Sequence, residues 1–339
     1  MARSPLPPLG PAWAGSVMGT SLAATMTHVH GATRLSPLLL GAASLIFLAI
    51  SIGWLQHANP HFTQPYMGPW GMYVMGVLAL GGAWTTVTGS WGWQTVTWLL
   101  ATPLAWIISL WQLKKFHGAP TFFWGLSLVP PMVSANSGSQ LVASGQLDPG
   151  WAMVVWLVSL GGFLLSMATA LPVFARVYLD VIRRRLYLPP GMTGTAWIPL
   201  GIVGQSTAVA ILLSNSPPGI GEAATWRLIG IVIGYVMFTL GVPMALYAAW
   251  KFWRDIVTWP GYYPGWWGSV FPAGTCTLGS YQLAEVTGSG WWNWVSLVWL
   301  TVLLFHGTVC ALRALFHVYE VNRSAEGTAP VLVPAAARR

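Results

Sequence analysis

Charge is what this sequence lacks most. Only 6% of its 339 residues are Asp, Glu, Lys or Arg, where an ordinary soluble domain carries about 25%. The carboxylates number seven, Asp148, Asp180, Glu222, Asp255, Glu285, Glu320 and Glu326, so long stretches hold no ionisable group. Too few charges remain to build a water-facing surface, which excludes a soluble globular domain. The hydrophobic share is 55%, and the uncharged stretches suit hydrocarbon, where a spanning helix needs about 20 apolar residues. Cysteine is equally scarce. Cys276 and Cys310 both fall inside apolar runs, without a second Cys or a His at metal-ligand spacing, so they read as small packed hydrophobes and no metal site is expected.

The basic excess, +8 with a pI near 9.8, is spread singly or in short groups between the apolar runs. A nucleic-acid binder would gather it on one face, so no nucleic-acid partner is expected. The pattern is that of cytoplasmic loops enriched in Lys and Arg. Apolar windows lie near 13–30, 35–55, 69–88, 93–113, 123–144, 150–175, 193–213, 225–250, 265–285 and 291–316. With ten spans and both termini cytoplasmic, Arg3, Lys114, Lys115, Arg176, Arg183, Arg184, Arg185, Lys251, Arg254, Arg313, Arg323, Arg338 and Arg339 fall inside, thirteen of the fifteen cations, and Arg34 and Arg227 outside. The fifth and seventh windows are the weakest, and eight spans with two re-entrant segments is the competing topology. The start, with Arg3, a Pro-rich stretch and an apolar run lacking a small-residue cleavage site, reads as a retained first span. The expected organisation is a cytoplasmic segment 1–12, a membrane domain 13–319 and a disordered cytoplasmic tail 320–339 rich in Ala and Pro.

A second pattern emerges when the windows are taken alternately. Residues 124–143 contain ten Gly, Pro, Ser, Thr, Asn or Gln and 266–285 contain nine, while 152–171, 228–247 and 292–311 contain five each. Polar, breakable odd spans alternating with smoother even ones predict an all-α integral membrane fold of five helical hairpins, odd helices inside around a central pore and even helices outside against lipid. Small residues also serve close helix packing alone. That reading suffices for Gly81 and Gly82. It explains less well the Pro-centred runs Pro130-Pro131-Met132-Val133-Ser134-Ala135-Asn136-Ser137, Pro199-Leu200-Gly201-Ile202-Val203-Gly204-Gln205-Ser206 and Phe271-Pro272-Ala273-Gly274-Thr275. A Pro frees a carbonyl one turn back, and irregular backbone at membrane depth is tolerated where it is buried in protein or lines a wet cavity. A ring of hydroxyls and amide dipoles can solvate an anion without a buried Lys or Arg.

Proton coupling wants an intramembrane carboxylate or His relay, and only His306 and Glu285 qualify. The bland readings are a packed neutral His306 and an interfacial Glu285. His28 and His30, beside Arg34 at the outer end of the first span, read as interfacial polar residues that could also draw anions. The Trp residues, among them Trp266, Trp267, Trp291, Trp292 and Trp294, sit at span ends and read as interface belts.

The segments Trp13-Ala14-Gly15-Ser16-Val17-Met18-Gly19-Thr20, Pro130-Pro131 and Trp266-Trp267-Gly268-Ser269-Val270-Phe271-Pro272-Ala273-Gly274-Thr275 together resemble the tellurite-resistance/dicarboxylate transporter family, which includes the plant slow-type anion channels, yeast sulfite exporters and malate permeases. The resemblance runs over roughly 12–318, with the specific motifs in the first and ninth spans. It implies ten helices in five hairpins around a pore, a homotrimer with one pore per subunit, and a pore-plugging Phe on the ninth helix that matches Phe271. Cys276 and Gly279 depart from it, standing where bulkier apolar residues are expected, and the long regulatory tails of the plant channels have no counterpart here. The function implied is a passive anion channel or carrier in the cytoplasmic membrane, not an enzyme and without cofactor, moving chloride, nitrate, sulfite or a C4-dicarboxylate such as malate. Phe271 is its expected gate, and Gly19, Thr20, Pro131, Ser134, Asn136, Ser137, Pro199, Gln205, Ser206, Pro272, Gly274 and Thr275 its candidate lining. A proton-coupled exporter using His306 or Glu285 is the alternative. A membrane redox subunit is the third class; haem would want paired His at one depth, and only His306 is clearly deep.

Overall fold

The structure, a computed structural model, describes residues 6–326 apart from 65–66, 117, 216–218, 220 and 260, with side chains to residue 320. Arg3, Arg338 and Arg339 lie outside the described residues, as does most of the tail, and the side chain of Arg323 is not described.

Among the described residues there are eleven α-helices: α1 (Ala14–Val29), α2 (Ser36–His57), α3 (Met67–Thr88), α4 (Trp91–Leu113), α5 (Gly125–Leu128), α6 (Pro130–Ala143), α7 (Pro149–Ile182), α8 (Ile198–Asn215), α9 (Ala223–Thr258), α10 (Val270–Thr287) and α11 (Gly290–Glu326). Seven helical stretches are long and apolar enough to cross a membrane: α2, α3, α4, α7, α8 with the turn before it, α9 and α11. The first, fifth and ninth windows give the shorter helices α1, α6 and α10, of 16, 14 and 18 residues. Their Pro, Gly and hydroxyl content removes the long apolar stretch that hydropathy detects.

Proline explains where the helices begin. Pro69, Pro130, Pro131, Pro199 and Pro272 all lie within the first three residues of α3, α6, α8 or α10. There the backbone N–H has no intrahelical partner, so a missing one is harmless. A 3₁₀ turn precedes α1 (Pro11–Trp13), α5 (Phe122–Trp124), α8 (Thr193–Trp197) and α10 (Pro264–Ser269). The breaks at Pro199 and Pro272 are thus starts of helices, whereas Pro130 bends the chain between the short α5 and α6. Interior prolines occur instead in the apolar helices α4, α7 and α9, at Pro103, Pro172 and Pro243, so these are less smooth than their composition suggests.

Burial alternates along the chain. The apolar window of 193–215 is 100% buried, whereas those of α2 and α9 are 22% buried, which separates enclosed helices from peripheral ones. α1 packs on α3, α3 on α6, α6 on α8, α8 on α10, and α10 back on α1, closing a cycle. The peripheral α2, α4, α7, α9 and α11 each pack on the enclosed helix preceding them in sequence. Within the cycle α8 and α10 touch backbone to backbone. A Cβ on Gly204 would overlap the carbonyl group of Thr275, and one on Gly279 would stand 2.7 Å from the Gly204 carbonyl oxygen. The small residues at 276 and 279, anomalous by comparison with bulkier expectations, are what this approach requires.

Candidate functional site

The starts of the five enclosed helical segments converge on one cavity of about 210 Å³, bordered by Ala12, Gly68, Leu126, Thr195 and Trp267. Met72, Leu126, Ile198 and Trp267 also border a second, smaller void of about 30 Å³. The far wall of that void is Phe271 with Pro272. Beyond Phe271 lies a third void of about 40 Å³, whose polar wall is Thr25, Gln94, Asn136, Ser137, Gln140 and Gln205. Phe271 borders both the second void and the third, and the residue is buried, 6% exposed. One aromatic side chain therefore stands between an aromatic and Met-lined half and an amide-lined half of the same axis. A larger cavity, about 500 Å³, opens between α9 and α11, but its lining is almost wholly apolar and it does not reach Phe271, so it is set apart from the site.

The expected lining residues divide into two groups. Asn136, Ser137 and Gln205 line the third void, and Pro272 the second. The others do not border these voids, and several instead meet neighbouring helices or bond within their own. Ser134 Oγ is 2.7 Å from Thr102 Oγ1 on α4, and the Ser134 carbonyl accepts from Trp98 Nε1. Thr275 Oγ1 donates to the Pro272 carbonyl at 2.8 Å, and Ser206 Oγ to that of Val203 at 3.2 Å. The Pro131 carbonyl lies against Gly162 of α7, a Cβ on Gly274 would meet Leu22 of α1, and one on Gly19 would meet Val270. Pro199 is buried and Thr20 half-buried, and neither borders the three voids.

His306 is fully buried. Trp253 Nε1–H donates to its Nε2 at 2.9 Å. Because an indole N–H can only donate, that nitrogen carries a lone pair, and the ring proton sits on Nδ1, which faces the Ser269 carbonyl at 3.3 Å. Both ring nitrogens are engaged by the protein, at the start of α10 two residues from Phe271. Glu285 is exposed near the end of α10. His28 and His30 meet Ser36 and Ser296 hydroxyls at 3.2 and 2.9 Å, so each already has a local partner.

Trp291 and Trp294 are 70% and 68% exposed, as an interface belt requires, but the belt reading must be corrected for Trp266, Trp267 and Trp292, which are buried. Trp267 donates to Tyr262 Oη at 2.9 Å and forms the wall shared by the first two voids. Sequence reasoning passed over Gln94 and Gln140. One opens the apolar fourth span, which also carries Gln112 near its end, and the other follows Asn136 by one turn in the fifth; neither position stands out in the sequence.

The family described as SLAC1, voltage-dependent anion channel, matches residues 8–315. No curated protein matches the chain.

Proposed function

The chain belongs to the voltage-dependent anion channel family, and we propose that it is a passive path for a small anion across the cytoplasmic membrane, running along the axis of α1, α3, α6, α8 and α10 and gated by Phe271. In this reading each enclosed helix and the peripheral helix after it form one of five hairpins, the unit at 13–319 crosses the membrane ten times, and segments 1–12 and 320–339 are cytoplasmic. The protein acts as a homotrimer with one path per subunit, as the family resemblance implies.

The observation that carries the proposal is the position of Phe271 between two voids on one axis. An apolar ring there opposes hydration of the path, the physical basis of a hydrophobic gate. The first cavity collects the starts of the enclosed helices, whose N-terminal partial positive charge favours an anion over a cation. A coupled exporter would need a titrating group on this axis. His306 is committed to Trp253 and Ser269, and Glu285 is exposed at a helix end, so the passive reading is preferred.

The test is anion flux into proteoliposomes across chloride, nitrate, sulfite and malate, with and without an imposed pH gradient. Saturating or channel-like flux that follows the anion gradient alone is expected. Uphill anion movement driven by the pH gradient would replace this reading with coupled export.

A further inference from the structure

We propose that the end of the bundle where α7 and α9 finish docks anionic lipid headgroups of the cytoplasmic leaflet, through Arg183, Arg184 and Arg185 with Lys251 and Arg254. At about 1.5 Å per residue, the 34 residues of α7 and the 36 of α9 run about 51 and 54 Å, more than the roughly 40–45 Å of a bilayer with its headgroups. Their last turns therefore reach the headgroup layer. The two ends are also fastened to each other. Tyr178 of α7 and Tyr247 of α9 meet with ring centroids 6.1 Å apart. The Asp255 carboxylate of α9 accepts from the Gly191 N–H and the Thr193 hydroxyl, which pins the connection between α7 and α8 to the end of α9. Within that connection the N–H groups of Arg185 and Leu186 both donate to the Asp180 carbonyl, so the three arginines sit on a folded turn held beside α9.

The sorting of charge at this end points to the partner. Asp180 and Asp255 are 7% and 6% exposed; the first pairs with Arg176 at 3.1 Å and the second is spent on the connection. Both carboxylates are thus turned inward. Arg183, Arg184, Arg185 and Arg254 are exposed, and among the described residues none of them pairs with a carboxylate. The Lys251 ammonium beside them lies 4.4 Å from the centre of the Trp250 ring, a face that leaves its charge uncancelled. Enrichment of cations in cytoplasmic loops accounts for their presence on this side, but not for the burial of the carboxylates that would neutralise them. A soluble phosphate would answer the charge alone. It would not answer Ile182, Tyr187 and Val257, which share these turns and are 75%, 74% and 84% exposed. Unpaired cations interleaved with bare apolar side chains match the boundary of an anionic leaflet, where the apolar groups and the cation stems lie among acyl chains and the charges reach the phosphates.

The experiment solubilises the full chain in mild detergent from vesicles of equal phosphatidylglycerol and phosphatidylcholine, and quantifies the lipid that stays bound. The parent chain should retain phosphatidylglycerol at least about fivefold over phosphatidylcholine, the effect of one such cation at an anionic surface. Arg183→Gln/Arg184→Gln/Arg185→Gln should bring the ratio near one. Lys251→Gln/Arg254→Gln, on the other helix, should also lower it, and stands as a second variant should the first fold poorly. Arg34→Gln, an exposed position past the end of α1 at the opposite end of the bundle, should leave the ratio unchanged. Equal retention of the two lipids by the parent chain, or a preference that survives in both folded variants, overturns the proposal. So does loss of the bound phosphatidylglycerol to excess inorganic phosphate at constant ionic strength, which would make this a site for free anions. The readout is bound lipid, so the result stands apart from whether the axis closed by Phe271 passes anions.

Discussion

Phe271→Ala should raise anion flux per folded protein by about an order of magnitude or more, with folded yield close to that of the parent chain. The ring stands between voids of about 30 and 40 Å³, so truncation joins them into one passage and removes the apolar constriction that keeps water and ions out. If the ring instead served the core, its loss would cost about 3–5 kcal/mol and folded protein would fall without any gain in flux. A side chain flanked by empty space on two sides has fewer contacts to lose than a core Phe, which places the expected destabilisation below that range. Gel-filtration yield and flux from one preparation separate the two. Unchanged flux in a well-folded Phe271→Ala protein would reject the gate and direct attention to Trp267, the next aromatic wall on the axis.

A large effect of the opposite kind is expected at His306. His306→Ala removes the acceptor of Trp253 and the donor to Ser269, and leaves a hole against Trp197 and Phe252, whose rings lie 4.6 and 5.0 Å from the imidazole. The cavity and the buried Ser269 carbonyl left without its imidazole donor, with the loss of the acceptor for the indole N–H of the exposed Trp253, amount to roughly 3–5 kcal/mol, enough to lose most of the folded protein. His306→Gln can still donate through its amide nitrogen and accept through its oxygen, so it should fold and conduct like the parent chain, since the role assigned is to hold the start of α10 in place. The two accounts of His306 diverge on proton coupling. In the parent chain and in His306→Gln alike, flux should ignore an imposed pH gradient; gradient-driven accumulation present in one and abolished in the other would make His306 a relay.

The alternation of polar and apolar windows was legible because the enclosed helices are short and rich in hydroxyls and small residues, a compositional contrast visible without any coordinates. The role of each residue within a polar helix was not. In α6, Ser134 faces α4 while Asn136 and Ser137 face the axis, a difference of about 100° per residue around the helix that a run of uniformly polar side chains does not reveal. On α10, Gly274 and Thr275 serve contacts with α1 and α8, and only Phe271, Pro272 and Leu278 reach the voids beside the gate. Gln94 was hidden for a different reason. It belongs to a peripheral helix and enters the axis only because the start of α4 packs beside α6, a tertiary fact with no local signature. The prolines were read as interruptions because a sequence does not say whether the residues before a Pro are helical; here 3₁₀ turns precede α8 and α10, whose first turns hold Pro199 and Pro272, while the short α5 precedes Pro130.

The central claim, that anions and not cations move along the axis closed by Phe271, is tested most directly by the reversal potential of purified Phe271→Ala protein in a planar bilayer under a tenfold KCl gradient. The account predicts steady current reversing near the chloride equilibrium potential, about 59 mV in magnitude and of the sign set by chloride. Reversal near the potassium potential, or a folded protein that carries no current, would contradict it.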